Sequence, residues 1–355
     1  MRAAVYHGNR DVRVESIAEP AAPGPHEVQL RVLRAGLCGT DAGEYKHGPI
    51  MVPLTRPHPG SGHQGPTVLG HEFVGAVEAV GSAVAELGVG DRLVAGAGMW
   101  CGECPWCRSG RTNLCARYYT LGLNAHGGLA ELVNVPAIMC RLVPEQCDDD
   151  AASMAQPLAV ALHAVNRARV ASGDAVVLIG VGGIGFFTLA GLVARGAHVV
   201  ALDIDEDRLD DARRFGAAEA FDARAADVEE RVRDAFDGAP VDVVAEASGA
   251  PGSPALAQRL VGSGGRMLIV GLQEAPRELD LYDLVMREVE IQTTVAHVCD
   301  TDIPEALDLL TATKLAAAAL DRVVPLDAVV SEGLEPLAEG QVSGKVLVAT
   351  TEDGR

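Results

Sequence analysis

Four cysteines lie within one short stretch of the chain. They follow the pattern Cys-x-x-Cys-x-x-Cys, then seven residues and one more cysteine, on a segment that also carries glycine and proline. Closely spaced thiolates of this kind are typical of a closed tetrahedral zinc site, which leaves no coordination position for chemistry. An iron–sulfur cluster and a surface disulfide are the alternatives. We therefore predict a structural zinc site that is formed by Cys101, Cys104, Cys107 and Cys115.

A second set of metal-binding residue types is dispersed along the first half of the chain. It comprises one thiol, one imidazole, one carboxylate and one amide, which are Cys38, His71, Glu72 and Gln156. Taken singly, each residue type is more often packed than bound to a metal. Together they form a mixed and incomplete set, which matches a catalytic zinc with an open position. Asp41 could orient His71 by accepting a hydrogen bond from its second ring nitrogen.

A glycine-rich turn lies between an apolar run typical of a strand and an apolar stretch typical of a helix. It reads Gly180-Val181-Gly182-Gly183-Ile184-Gly185. This G-x-G-x-x-G fingerprint stands in the context that dinucleotide binding requires, although an ordinary glycine-rich turn is the alternative. The first glycine permits the tight turn, the second lets the backbone approach a pyrophosphate, and the third lets the helix pack on its strand. We predict cofactor binding by Gly180, Gly182, Gly183, Ile184 and Gly185.

An acidic residue follows the fingerprint at the distance expected for a nicotinamide dinucleotide. A second apolar run predicts a strand over 198–203, which ends at Asp203. A carboxylate there can accept hydrogen bonds from both adenosine ribose hydroxyls and would repel a 2′-phosphate, which favours NAD over NADP. Arg208 lies five residues further on and could reach the ribose or the adenine-side phosphate, so NADP stays an alternative.

The elements that must position these residues change in character along the chain. Residues 1–155 are rich in glycine and proline and carry short alternating strands, which indicates a compact, barrel-like β domain. Residues 156–295 alternate strands with helices and predict a doubly wound parallel sheet that binds NAD. We expect residues 296–355 to return to the first domain and complete it. The predicted fold class is α/β, with strands at 175–180, 198–203, 241–245, 266–271 and 290–295.

Composition argues against several classes of function. The formal net charge is −20, with 49 acidic and 29 basic residues, so we expect neither nucleic-acid binding nor a zinc-finger role for the cysteines. Aromatic residues make up 4% of the chain, which leaves little for base stacking. No apolar run approaches the length of a membrane-spanning helix, and the N-terminus lacks the apolar core of a signal peptide. A soluble, cytoplasmic protein without a membrane partner is expected.

The eight cysteines of such a chain indicate metal-binding or catalytic thiolates before disulfides. Five of them belong to the two sets described above. Cys140, Cys147 and Cys299 do not, and we expect them to be buried as small apolar residues.

The order and spacing of these motifs resemble the medium-chain, zinc-dependent alcohol dehydrogenases over essentially the full length of the chain. The resemblance rests on Cys-Gly-Thr-Asp at 38–41, Gly-His-Glu at 70–72, the four-cysteine lobe and the glycine fingerprint. The segments 48–50 and 156–164 are similar to the butanediol and polyol (sorbitol-dehydrogenase-like) branch. This resemblance implies a GroES-like catalytic domain that carries both zinc sites, together with a Rossmann domain.

The resemblance also implies roles for individual residues. Cys38, His71 and Glu72 match the residues that bind the catalytic zinc directly. Thr40 matches the hydroxyl that passes the substrate proton onward. The four-cysteine lobe matches the structural zinc site of the family.

The chain departs from the family pattern at two positions. Gln156 stands where relatives usually carry Glu, Asp or Cys, and a neutral amide there would keep the zinc a stronger Lewis acid or hold the zinc-bound water. Gly43 stands where the polyol-type motif usually carries histidine, which leaves the proton exit route open. His47 is one substitute for that missing histidine.

The predicted function is reversible oxidation of a secondary alcohol, either a vicinal diol or a polyol, to a ketone with NAD and zinc. A threonine, sugar or aminocyclitol dehydrogenase is the alternative within the same class. A dinucleotide-binding protein without catalysis is the alternative of another class. Gly43 and Gln156 support this alternative, because both depart from the family pattern at the catalytic site. The loop 47–65 is expected to shape the substrate pocket or a subunit contact. By analogy with relatives, we expect a homo-oligomer, either a dimer or a tetramer.

Overall fold

The computed structural model describes residues 1–351, which divide into two compact units. The first unit comprises Met1–Ala159 together with the described residues from His297 onward, and the second comprises Val160–Ala296. No helix in the described part of the chain is both long enough and apolar enough to cross a membrane.

The described residues form eighteen strands and twelve α-helices, which are joined by loops and short turns. In chain order the strands are β1 (Arg2–Gly8), β2 (Asp11–Ser16), β3 (Glu27–Gly36), β4 (Thr67–Val68), β5 (Glu72–Val80), β6 (Arg92–Ala95), β7 (Gly98–Met99), β8 (Tyr119–Thr120), β9 (Leu132–Pro136), β10 (Cys140–Leu142), β11 (Ala175–Ile179), β12 (His198–Asp203), β13 (Glu219–Asp222), β14 (Val243–Glu246), β15 (Arg266–Ile269), β16 (Glu290–Thr293), β17 (Leu320–Pro325) and β18 (Lys345–Ala349). The helices are α1 (Gly39–His47), α2 (Pro105–Arg108), α3 (Asp149–Ser153), α4 (Ala155–Arg167), α5 (Gly183–Ala194), α6 (Glu206–Arg214), α7 (Val228–Ala235), α8 (Ser253–Leu260), α9 (Leu281–Met286), α10 (Cys299–Ala312), α11 (Leu315–Ala319) and α12 (Glu335–Ala338).

The first unit is built on a seven-stranded sheet. Its strands follow the order β10-β6-β5-β3-β18-β17, and β9 also pairs with β3. In β3 the apolar residues Val28, Leu30 and Val32 alternate with polar ones and are buried, which is the pattern of a strand with one face against a core. The late strand β18 lies antiparallel to β3, so residues near the end of the chain reach the middle of this sheet.

The second unit is a six-stranded sheet in which every pair is parallel. Its strand order β13-β12-β11-β14-β15-β16 is that of a Rossmann fold, which confirms the predicted doubly wound sheet. Four of the five predicted strands are shorter in the structure, because β14 begins at Val243, and β11, β15 and β16 end at Ile179, Ile269 and Thr293. β13 was not predicted, because this four-residue strand contains no β-branched residue.

Alternating residues of β11 build the core on both faces of this sheet. Val176 and Leu178 belong to one apolar cluster, and Val177 and Ile179 belong to a second cluster. A parallel strand that is buried on both faces reads as a continuous apolar run, as this one does. The glycine fingerprint therefore starts from a fully buried strand end.

Candidate functional site

The four clustered cysteines come together around the short helix α2. All four sulfur atoms lie within 4.8 Å of one another. The Sγ atom of Cys107 is 3.5 Å from that of Cys104 and 3.9 Å from that of Cys101. A tetrahedral ion with Zn–S bonds of about 2.3 Å separates its sulfurs by about 3.8 Å. The geometry therefore fits one metal ion, whereas the four cysteines of an iron–sulfur cluster are divided among two or more iron atoms and a disulfide bond is about 2.05 Å long.

The electrostatics of this lobe also fit a cation. Backbone N–H groups of Glu103 and Cys104 donate to the sulfur of Cys101 and lower the pKa of that thiol to about 6. Loss of solvation and the neighbouring sulfur of Cys104 raise the pKa of Cys107 to about 12. Because close thiolates repel one another, the full set ionises together only when a cation sits between them.

The three remaining cysteines are buried, as expected, and all eight cysteines of the chain are free of disulfides. Burial raises the pKa of Cys147 and raises that of Cys299 to about 12, so both are protonated small apolar side chains near neutral pH.

A second cluster joins residues that are more than thirty positions apart. Cys38 directly precedes α1, and its backbone N–H donates to the Asp41 carboxylate at 3.0 Å. Gly70, with a φ of +92°, turns the chain just before His71 and Glu72 at the start of β5. One ligand atom from each of Cys38, His71 and Glu72 lies within 4.8 Å of the others. The structure thus brings three of the four residues of the predicted catalytic set to one place.

Asp41 lies against the imidazole of this cluster. Its Oδ1 atom is 3.5 Å from Nδ1 of His71, and its side chain is fully buried. Burial lowers the pKa of His71, but the negative charges of Asp41 and Cys38 outweigh that effect and raise the pKa. A site this rich in negative charge favours a bound cation, and Asp41 is placed to orient the ring.

Lys345, at the start of β18, reaches the same cluster from a distant part of the sequence. Its ammonium group forms an ion pair with Glu72 and donates to the Leu37 carbonyl at 3.1 Å. Burial lowers the pKa of Lys345, but the charges of Glu72 and Cys38 raise it further, so the residue stays protonated. Gly36 faces Glu72 across the sheet, and a Cβ there would come within 2.5 Å of the carboxylate. Glycine at this position leaves room for the ion pair.

Thr40 and Gln156 complete the set of predicted catalytic residues. The Thr40 hydroxyl, in the first turn of α1, is 3.6 Å from the sulfur of Cys38. Gln156 is the second residue of α4 and is buried, with 8% of its surface exposed. Thr40 therefore lies where a proton could be exchanged beside the Cys38 cluster.

The interpretation of His47 as a substitute for the missing histidine in the proton exit route stays a prediction. His47 is the last residue of α1 and is exposed, about two helical turns or about 10 Å beyond Thr40. A Cβ at Gly43 would meet no atom within 4 Å. Open space therefore lies beside Gly43, one turn after Thr40 on α1.

The glycine fingerprint borders a cavity of about 720 Å³ within the second unit. Gly180 has a φ of +91°, and a Cβ there would collide with Ser248. A Cβ at Gly185 would collide with the Gly180 carbonyl, so both positions require glycine for close packing. Gly182 directly precedes α5, and with Gly183 and Ile184 it lines the cavity. The helix N-terminus thus faces a space that can hold a pyrophosphate.

Asp203 lies at the end of β12 on the same cavity, with 5% of its surface exposed. Its carboxylate accepts hydrogen bonds from the backbone N–H groups of Val181 at 2.6 Å and Ile204 at 2.8 Å. Arg208 lines the cavity too, and its guanidinium is 3.9 Å from Asp203. Asp203 therefore fastens the fingerprint loop to the end of β12 as well as facing the cavity.

Two further arginines line this cavity that the sequence analysis missed. Arg224 pairs with Asp222, and its guanidinium also donates to the Ile204 carbonyl at 3.0 Å. Arg259 contributes from α8 and pairs with Glu229. The Asp-x-Arg sequence at 222–224 could have predicted an arginine at this cavity. It does so only when β13, which ends at Asp222, is recognised as a strand.

Comparison with known proteins agrees with this architecture. The family model for the alcohol dehydrogenase GroES-like domain matches residues 24–145, and the model for zinc-binding dehydrogenase matches residues 183–312. A (R,R)-butanediol dehydrogenase of Neisseria gonorrhoeae is 31% identical, over 98% of this chain and 99% of its own. A sorbitol dehydrogenase of Bacillus subtilis is 30% identical, over 80% of this chain and 82% of its own.

A crystal structure of a 2R,3R-butanediol dehydrogenase from Bacillus subtilis is also similar. It superposes with a TM-score of 0.91 at 29% sequence identity and covers 99% of both chains. The likeness extends over both units and over the segments that carry the two cysteine-containing clusters. The chain belongs to the medium-chain, zinc-binding alcohol dehydrogenase family and is an oxidoreductase that acts on CH–OH groups.

Proposed function

We propose that this protein oxidises a secondary alcohol, either a vicinal diol or a polyol, to the corresponding ketone, reversibly and with NAD. The observation that carries the proposal is the convergence of Cys38, His71 and Glu72 in a chain that also holds a dinucleotide-sized cavity. The butanediol and sorbitol dehydrogenases to which the chain is similar support the substrate class.

The donor set of Cys38, His71 and Glu72 fits a catalytic zinc ion. One thiolate, one imidazole and one carboxylate supply three of four positions, which leaves one position open for substrate. Zinc held there would act as a Lewis acid that lowers the pKa of the substrate hydroxyl. We propose that Gln156 borders this set as a neutral residue, which would keep the zinc a stronger Lewis acid or hold a zinc-bound water.

The chain's own residues divide the remaining work. Thr40 would accept the substrate proton and release it to the open space beside Gly43. Asp41 would orient the His71 ring, whose Nδ1 lies 3.5 Å from its Oδ1, and Lys345 neutralises one carboxylate charge in the buried cluster. The fingerprint residues and the N-terminus of α5 bind the pyrophosphate of the dinucleotide, which supplies the hydride acceptor.

Cys101, Cys104, Cys107 and Cys115 are proposed to hold a second, structural zinc ion. Four sulfurs fill a tetrahedral ion and leave no open position, so this site would stabilise its loop without taking part in chemistry. We propose that the first unit carries both zinc sites and that the second binds NAD. The clustered thiols must stay reduced to bind metal, which supports a cytoplasmic location.

The substrate proposal is tested by following NADH formation with a panel of vicinal diols, polyols, threonine, sugars and aminocyclitols. We expect the highest kcat/KM with a vicinal diol or a polyol. A preference for threonine, a sugar or an aminocyclitol would keep the reaction class and replace the proposed substrate.

NAD is the proposed cofactor because a carboxylate stands at the end of β12. Replacing Asp203 by alanine is expected to weaken NAD binding by about 10-fold and to relax discrimination against NADP. The Kd values of NADH and NADPH, measured by fluorescence titration, check this expectation. Asp207→Ala is the matched control, since Asp207 is an exposed carboxylate on the neighbouring α6. Unchanged cofactor preference in Asp203→Ala would remove Asp203 from the binding site.

We also propose that the protein forms a homo-oligomer. The helix α9 exposes four large apolar side chains, and β16 at the sheet edge exposes Ile291. The four side chains on α9 are Leu281, Tyr282, Val285 and Met286, each more than 60% exposed. Apolar side chains grouped in this way favour contact with another chain. Light scattering at several protein concentrations gives the number of subunits.

A further inference from the structure

The strand β14 ends in a carboxylate that is completely buried. This residue is Glu246, and none of its surface is exposed. Its Oε1 atom accepts hydrogen bonds from the backbone N–H groups of Ser248 at 2.8 Å and Gly249 at 2.9 Å, and from the hydroxyls of Ser248 at 2.6 Å and Ser253 at 2.8 Å. Burying a carboxylate is costly unless its oxygens are hydrogen-bonded. All four donors belong to the loop and the helix start that follow β14, so the carboxylate fixes the shape of this segment.

The second carboxylate oxygen meets the loop that follows β15. The side-chain amide of Gln273 donates to Oε2 of Glu246 at 3.4 Å, and the Glu246 backbone carbonyl accepts from the Gly271 N–H at 3.0 Å. A Cβ at Gly271 would collide with both the carboxylate and the backbone of Gly249. Glycine at this position therefore lets two loops close around the carboxylate and hold it in one place.

The loop that Glu246 holds forms one wall of the dinucleotide-sized cavity. Ser248, Ala250 and Gly252 line that cavity and are exposed. Ser248 also packs against the fingerprint, since a Cβ at Gly180 would collide with it. A loop that borders open space has few packing partners, so its shape depends on the hydrogen bonds that it makes. The carboxylate accepts four of these hydrogen bonds.

The rest of the cavity lining indicates which half of a dinucleotide this wall would face. Asp203, Arg208 and residues 223–226 line the same cavity. In a Rossmann fold an acidic residue at the end of the second strand binds the adenosine ribose, and the helix N-terminus binds the pyrophosphate. The strands β12 and β14 flank β11 on its two sides, so Asp203 and the loop 248–253 follow strands on either side of the fingerprint strand. We therefore expect the adenosine half of NAD to lie in a space that both of them bound.

We propose that Glu246 is a positioning residue for the adenosine half of NAD, because it holds residues 248–253 in the shape that binds this half. The inference rests on the proposed function, since it concerns the cofactor of the same reaction. The carboxylate has no exposed surface, so it acts on the cofactor only through the loop. A loop that already has its binding shape loses less conformational freedom when the ligand binds, and this raises affinity.

The test compares Glu246→Ala with Glu246→Gln and with the matched control Glu230→Ala, which changes an exposed glutamate on α7 of the same unit. In Glu246→Ala four donors lose their acceptor, so the Kd of NADH is expected to rise about 10-fold. Glutamine keeps one oxygen for these donors and should recover most of the loss. The control should bind NADH as tightly as the wild type does.

ADP-ribose provides a readout that does not depend on activity, because it contains the adenosine and the pyrophosphate but lacks the nicotinamide ring. In Glu246→Ala its Kd, measured by titration calorimetry, should rise by the same factor as that of NADH. The KM for NAD should rise in parallel, while kcat at saturating NAD stays within about 2-fold of the wild type. A carboxylate that serves stability alone would lower Tm and leave both Kd values unchanged.

Glu246→Asp decides the question even when Glu246→Ala folds poorly. Aspartate keeps the charge but withdraws the oxygens from their donors by about 1.5 Å, so NADH affinity should fall about 3-fold. Unchanged NADH affinity in a folded Glu246→Ala or Glu246→Asp variant would overturn the inference alone. Weaker NADH binding with unchanged ADP-ribose binding would contradict the placement at the adenosine half. A wild-type protein that binds neither NADH nor NADPH would instead overturn the proposed function.

Discussion

Replacing Cys38 by serine is expected to lower turnover by at least about 1000-fold, while NAD binding stays measurable. A serine hydroxyl stays protonated near neutral pH and binds zinc poorly, so the open metal position would be lost. The dinucleotide cavity is lined by residues of the second unit and contains neither Cys38 nor its neighbours. Steady-state kinetics and NADH titration on the same preparation separate the two effects.

Cys147→Ala is the matched control for this variant, because Cys147 is a buried cysteine outside both proposed zinc sites. Its kcat should remain close to that of the wild type. Full activity in Cys38→Ser, at unchanged zinc content, would contradict the assignment of Cys38 to the catalytic metal.

The second large effect is on stability. Replacing Cys104 by serine should remove one zinc ion and lower the unfolding free energy by a few kcal/mol, which corresponds to a fall in Tm of about 5 to 10 °C. Three thiols that lose their shared cation repel one another when ionised. Zinc analysis and a thermal melt of the same sample check this expectation.

The two proposed zinc sites should respond independently. In Cys104→Ser the catalytic cluster on α1 and β5 keeps all its residues, so kcat of the folded fraction should fall much less than in Cys38→Ser. An unchanged Tm with two zinc ions per chain would refute the structural site at Cys101–Cys115.

Local spacing made much of this site predictable from sequence. The cysteines at 101–115 lie on one short segment, so their meeting follows from chain connectivity and turn residues. The fingerprint at 180–185 and Asp203 were recognisable because parallel strands bring their carboxyl ends to one edge of the sheet. The Rossmann strand order confirmed that expectation.

Contacts between distant parts of the chain were not predictable in the same way. Lys345 reaches Glu72 because β18 pairs with β3, and no local pattern indicates that pairing. Glu44 is an ordinary polar helix residue in the sequence, yet its buried carboxylate accepts hydrogen bonds from backbone N–H groups of the following loop, including that of Val52.

The most direct test of the central claim is to remove zinc from the wild-type enzyme with a chelator and then restore it. NADH formation from a vicinal diol or a polyol, NAD affinity and zinc content are followed together. We expect turnover to disappear while NAD binding persists, and to return when zinc is added back. Full turnover in protein shown to be free of zinc would contradict the proposed role of Cys38, His71 and Glu72.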